Sequence, residues 1–362
     1  MPKAHTSRSN LPLILAAAGA VGSMVLLAGV VAWRVRTAAD PDQTPSLTAS
    51  ENAPPEEADR LAAADPITPI LDAADTLIRQ HQADRAEAVL RAAIREHPED
   101  QQLRLALAGA CILQQKLAEA YEQYEAALAI GPRTAETEFN AGTLASQLGR
   151  LDRAEEHFAA AQAIDTADAR FPLYLAQVQV RQGRLAEARK NLLLATRLDE
   201  TLAIAWGTLA ELSLRSNEPN VALQLVARAR QLEPRVAAWR VIEARAKNRI
   251  GKPEEALVVL GGIAEVERRQ LPILQLIGQC FGMMGKPAEA MREFEAAAAH
   301  DPDNADLLFE TALWCERAGE PGKALDYARR AGAQGNEAGA KMAVRLAETK
   351  AAENNATGTD SD

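Results

Sequence analysis

Three cysteines, five histidines and a recurring arginine are the residues of this 362-residue chain with the most chemistry to offer. Cys111, Cys280 and Cys315 include no Cys-x-x-Cys pair and no haem-attachment run, so they read as small buried hydrophobes. His5, His81, His97, His157 and His300 contain no pair four residues apart and no metalloprotease-type carboxylate nearby, so no metal site is expected. Gly251-Lys252-Pro253 and Gly285-Lys286-Pro287 look like fragments of a phosphate loop, but both lack the upstream Gly and the following Ser or Thr. The chain is therefore expected to have no catalytic residue, no cofactor and no small-molecule substrate, and not to be an enzyme. Arginine remains: Arg79, Arg181, Arg215, Arg249 and Arg317 stand 34 residues apart or at multiples of 34. A guanidinium grips a carboxylate with two parallel hydrogen bonds, so such a row suits an acidic peptide segment.

The elements carrying that row emerge from the prolines. Pro98, Pro132, Pro234 and Pro302 are also separated by multiples of 34. Repeats starting at Ile67, Gln101, Ala135, Ala169, Ala203, Ala237, Leu271 and Ala305 fill residues 67–338 with eight copies and no insertion. Position 8 of this frame is always small: Ala74, Ala108, Gly142, Ala176, Ala210, Ala244, Gly278 and Ala312. Position 20 is Ala in every copy, and position 27 is Ala except for Ile263. Positions 20 and 27 share one helix face, with a larger knob between them at position 24, such as Leu90, Tyr124, Phe158 or Phe294. Position 15 is Gly149, Gly183, Gly251, Gly285 or Gly319, with Asn217 in the fifth copy, which suits the left-handed end of a helix. Pro219, Pro253, Pro287 and Pro321 follow two residues later, where a helix opens without needing an N–H. Each repeat is predicted to be helix, tight turn, helix.

This pattern resembles the tetratricopeptide-repeat (TPR) family, in the manner of a membrane-anchored bacterial-type member. The small residue at 8, Gly near 15, Ala at 20, aromatic or Leu at 24, Ala at 27 and Pro at 32 all follow it. Departures are the large residue often found at position 4, here aromatic only at Trp206, and the aromatic at 11, here only Phe281. The resemblance implies an all-α, right-handed superhelical solenoid whose first helices line a concave groove for partner peptides or helices. The family's two-carboxylate clamp begins with Lys at position 5; here Leu71, Leu105, Phe139, Leu173, Gly207, Val241, Gln275 and Phe309 stand there, so acidic chaperone tails are not implied.

Groove-facing positions in the family include 2, 5, 9, 12 and 13. That places Arg181, Arg215 and Arg249 on successive rungs, beside Gln177, Glu211, Arg245 and Asn248. The rival reading needs no partner: Arg in a last helical turn gains about 0.3 to 1 kcal/mol from the helix dipole. The sixth copy is unusual, with Arg240, Glu243 and Lys247 at positions 4, 7 and 11. Either these pair along the helix, or the helix rotates to bury Val236, Trp239, Ile242, Ala246 and Ile250. Residues 339–350 continue as an amphipathic helix able to cap the last repeat, and 351–362 read as a frayed tail.

Ahead of the repeats lie a short tail, residues 1–10, and 23 uncharged residues, 11–33. As a helix these span roughly 34 Å, enough to cross a hydrocarbon core of about 30 Å. A cleaved signal peptide is the competing reading, with Thr37-Ala38-Ala39 as cleavage site, but Trp33, Arg34 and Arg36 sit badly there. Residues 34–66 form a Pro-rich acidic linker; positions 37–66 hold seven acids against Arg60. With a net charge of −10, nucleic acid is not an expected partner. The expectation is a single-pass protein of a bacterial inner membrane, repeats outside the cytoplasm, acting as a scaffold that binds other proteins. An accessory or assembly factor for an envelope, pilus or cytochrome maturation complex is the alternative.

Overall fold

The computed structural model describes residues 66–357. The tail 1–10, the span 11–33, linker residues 34–65 and the last five residues lie outside the described part. Among the described residues there are eighteen helices and no strand, and no helix is long and apolar enough to cross a membrane.

Eight first helices alternate with eight second helices, as the 34-residue frame requires. They are α1 Ile67–Arg79, α2 Ala83–Glu96, α3 Gln101–Leu113, α4 Leu117–Ile130, α5 Ala135–Gln147, α6 Leu151–Ile164, α7 Arg170–Arg181 and α8 Leu185–Leu198 in one compact unit that ends at Glu200. A second unit, from Thr201, holds α9 Ala203–Arg215, α10 Pro219–Leu232, α11 Ala237–Arg249, α12 Pro253–Gly261, α13 Glu265–Arg268, α14 Leu271–Met283, α15 Pro287–His300, α16 Ala305–Arg317, α17 Pro321–Ala333 and α18 Glu337–Thr357.

Local chemistry sets the boundaries. Asp100, Thr134 and Asn304 accept hydrogen bonds from Leu103, Thr137 and Leu307 backbone N–H groups at the starts of α3, α5 and α16. Pro opens α10, α12, α15 and α17. Every position 15 is left-handed, including two residues that are neither Gly nor Asn: His81 and Gln115, both at φ 60°. The turn geometry is thus a demand of the hairpin, and the side chain yields to it.

Within each unit the core is the seam between the two helices of a repeat and the next first helix. All eight position-20 alanines are fully buried, and Leu90, Phe158, Leu192, Val226 and Phe294 at position 24 are too. Position 8 tracks its neighbour's size: a Cβ added to Gly142 would lie 2.9 Å from the Phe158 ring, and one on Gly278 2.6 Å from Phe294. Glycine occurs at this position in the two copies where the knob is Phe.

The sixth copy departs from the frame. Its second helix stops at Gly261 and resumes only as the short turn α13. Gly261 and Gly262 are adjacent, each costing a helix interior about 1 kcal/mol relative to Ala. The chain leaves the helix here and Ile263, the exception to Ala at position 27, closes the gap against Leu260 and Ile273. In α11, Trp239, Ile242 and Ala246 are buried as rotation requires, but Val236 and Ile250 are only half-buried and position 8, Ala244, keeps its place in the seam. The charges are also paired: Glu243 meets Arg230 and, at 3.8 Å, Lys247, which reaches Glu255 at 2.6 Å. Both readings of this helix hold in part.

The final helix buries Met342, Ala343 and Leu346 against Leu325 and Ala328, covering α17. It runs Glu337–Thr357, beyond the 339–350 expected of the cap and into the stretch read as a frayed tail. Asn336 accepts from the Gly339 N–H at 2.7 Å and sets its start, while no Gly or Pro interrupts 340–357.

Candidate functional site

Side chains bridging consecutive first helices define one face in each unit. In the first, Arg170 Nη2 meets Glu136 Oε2 at 3.0 Å, 34 residues back, and Arg181 Nη1 donates to Ser146 O and Oγ at 2.9 Å, 35 residues back. In the second, Arg245 Nη1 meets Glu211 Oε2 at 2.6 Å, and Arg249 donates to Leu214 O. Position 9 thus stands beside position 9, and position 13 beside position 12, of the preceding first helix. Successive first helices present the same positions side by side.

The seven residues singled out from the sequence divide between the units. Gln177, half-buried, and Arg181, exposed, belong to the first unit. Glu211, Arg215, Arg245, Asn248 and Arg249 belong to the second, where Glu211, Arg215 and Arg245 converge. Glu211 is 1% exposed and lies between Arg245 and Arg215, whose Nε is 3.8 Å from Glu211 Oε1. Arg249 is exposed, while Asn248 places its Oδ1 out of solvent without a hydrogen-bond partner.

Arg181 and Arg249 act on helix ends, but on those of the preceding repeat. Ser146 and Leu214 lie in the last turns of α5 and α9, where their carbonyls also accept the N–H of Gly149 and Asn217 in the turn that follows. A cation there also opposes the negative end of the dipole. The arginine chain reaches across to a neighbouring helix and still leaves other N–H groups of the fork. Arg317 behaves differently, stacking over Trp314 at 4.6 Å, and Arg79 lies 3.8 Å from Asp75.

Two polar arrangements went unnoticed in the sequence. Position 16 reaches position 21 of the preceding second helix: Lys116 meets Glu87 at 2.8 Å, Arg184 meets Glu155 at 2.6 Å, and Arg150 lies over the Tyr121 ring at 4.9 Å. Residues 29 apart at charged positions were the available signal. The second is a buried node. Glu138, fully buried, accepts from Arg133 and lies 2.8 Å from His157 Nδ1, while His157 Nε2 lies 2.8 Å from Glu125. Nothing in the spacing of His157 marks it, because its partners Glu125 and Glu138 come from two other helices.

The thiols are inert. Burial pushes Cys111 and Cys315 up to about 11 and Cys280 up to about 12, away from the thiolate a metal or nucleophile needs. Cys111 lies near Glu87 and Glu119, but those carboxylates are engaged by Lys116 and Arg91 at 2.5 to 2.8 Å. Cationic neighbours at those distances suit an ion-pair cluster, not a metal centre.

A sequence profile of the tetratricopeptide repeat matches residues 71–134, 139–203 and 283–338. No curated protein matches the chain in sequence. Among solved structures it is similar to a tetratricopeptide repeat protein from Parabacteroides merdae, with 17% identity and a TM-score of 0.54, covering 68% of this chain and 98% of that one. It is also similar to the C-terminal part of a repeat-containing protein from Cytophaga hutchinsonii, with 15% identity and a TM-score of 0.52, covering 66% of this chain and 98% of that one. At these identities the likeness is one of fold.

Proposed function

The chain belongs to the tetratricopeptide-repeat family, and from that premise we propose that it is a membrane-tethered adaptor whose first-helix face holds a segment of another protein. Protein–protein interaction is the general role such repeats support. The observation that carries the finer reading is the continuity of that face within each unit: the bonds from Arg170 and Arg181 in the first, and from Arg245 and Arg249 in the second, align neighbouring first helices. Residues there are free of the seam's packing constraint, so Arg181 and Arg249 are exposed while positions 8 and 20 are not. Residues 11–33 supply the tether in this reading, with the repeats outside the cytoplasm. The scaffold role is favoured over catalysis because the thiols are buried and the carboxylate cluster is neutralised by cations.

Affinity capture from crosslinked membranes tests it. Substituting the exposed first-helix residues Arg181, in the first unit, and Arg249 and Met283, in the second, should deplete captured partners, while Arg153 and Lys323 on second helices should not matter. Equal capture by both sets would sink the proposal. Labelling of introduced cysteines in intact cells tests orientation; reaction only after permeabilisation would place the repeats inside.

A further inference from the structure

We infer that the α14–α16 stretch of the first-helix face takes a lysine or arginine side chain from a partner protein, its charged head on Glu310 and its methylene stem along Met283 and Leu313. This rests on the adaptor reading above and specifies the chemistry of the partner at one place on the face, opposite in charge to the segment that a row of arginines suits.

Three carboxylates of the first helices are matched inside the fold: Glu136 meets Arg170 at 3.0 Å, Glu211 meets Arg245 at 2.6 Å and Glu316 meets Arg345 at 2.7 Å. Glu310 differs. It is half-buried on α16 and faces the amide of Gln279 on α14, and among the described residues no cation stands against it. The cause is local: Arg245 serves Glu211 from position 9, whereas position 9 is Gln279 in α14 and Leu313 in α16. An amide can donate to a carboxylate but cannot neutralise it. Burial accordingly pushes the Glu310 carboxyl above its ordinary value, an effect that Gln279 offsets only in part. Glu293, the other carboxylate raised by burial, has Arg292 and Arg268 near it. A charge partly removed from water without a counterion is unfavourable, and a cation brought by a partner relieves it.

The surroundings of Glu310 select a cation on an aliphatic stem over a bare ion. Met283, one turn beyond Gln279, is 54% exposed, and Phe309 and Leu313 of α16 are half-buried. Helices α14 and α16 share a core through Leu274, Leu307 and Leu308, and they run in the same direction because α15 returns the chain between them. Met283 and Leu313 therefore lie about 5 Å beyond the Gln279–Glu310 pair along their helices, close to one turn. Arg317 does not serve the carboxylate: it is two turns further on, with its head over the Trp314 ring at 4.6 Å. Lysine and arginine lay their methylenes on apolar surface and keep the head polar, and a thioether adapts its shape to such a stem.

The test is selection of a displayed library of random 12-residue peptides on the detergent-solubilised full chain, beside Glu310→Gln and Met283→Ser. The full chain should enrich Lys or Arg at one position. Glu310→Gln should lower that enrichment about ten-fold, as loss of a charge-assisted bond implies. Met283→Ser should weaken binding of the same peptides while keeping their basic residue. Thermal melts separate a binding role from a structural one: with no counterion to lose, Glu310→Gln should melt at or above the wild-type temperature at neutral pH. A lower melting temperature would reveal a structural counterion and overturn the inference, as would an equal basic preference in wild type and Glu310→Gln, or unchanged binding by Met283→Ser. If the selected peptides show no basic preference and Arg181→Glu or Arg249→Glu abolishes their selection, the inference fails and the adaptor reading stands; if the full chain enriches no peptide, both fail.

Discussion

The seam and the first-helix face are built from the same helices, yet they obey opposite rules. Along the seam, position 20 is Ala in eight copies and position 8 shrinks to Gly where position 24 grows to Phe. Along the face, position 13 runs through Arg, Leu, Gln and Met with no change in the fold of the repeat. Two backbones in contact leave no room for choice, whereas a side chain at the surface answers only to what it meets there. Uniformity therefore marks what the repeat must do to exist, and variation marks where one such protein can differ from another.

The sharpest test of this contrast places a charge defect in the seam. Glu138→Leu strips Arg133 and His157 of their buried partner, and loss of one member of such a pair costs about 3 to 5 kcal/mol, read as a lowered denaturant midpoint. A loss below about 1 kcal/mol would show that the node is solvated on demand. Overpacking comes next: Gly278→Val pushes a Cβ into the Phe294 ring and should destabilise by about 1 to 3 kcal/mol. Combining it with Phe294→Leu should recover part of that loss if position 8 and position 24 are coupled.

At the seam's edge, Glu87 tests the bonds between repeats by pH. Hydrogen bonds from Lys116 and then Arg91 lower its carboxyl from 4.5 to about 2. A depressed carboxyl stabilises the fold above its unfolded value and loses that contribution as pH falls through the folded one. Wild type and Glu87→Gln should thus differ in melting temperature at pH 6 and converge towards pH 2; a constant gap would contradict the assignment. In the hairpin turn, Gln115→Gly relieves a left-handed residue and should stabilise by about 1 kcal/mol, visible as a raised melting temperature. The smallest effect belongs to the face: Arg181→Gln should shift stability by no more than about 1 kcal/mol despite losing its bonds to Ser146. A shift as large as that of Glu138→Leu would erase the distinction between seam and face.

The sequence by itself determined the repeat. Small residues at 8, 20 and 27, a turn at 15 and proline at helix starts act within about 34 residues of one another, so their spacing alone predicts hairpins whose first helices all begin within one residue of the expected start and end two residues before the turn at 15. It also marked α18 as a cap, though not how far that helix runs, because nothing in 351–357 stops a helix except the absence of a reason to form one. The tertiary structure decided the partners of polar side chains. Arg181 and Arg249 looked alike as helix-end cations, and only packing showed that they serve the preceding repeat's carbonyls. Glu211 was read as a surface residue of the face, and only packing buried it between two arginines. Periodicity specifies which direction a side chain leaves its helix, but which neighbour it then meets depends on how far the next helix stands and how it is turned, and those distances are set by side chains 30 or more residues away.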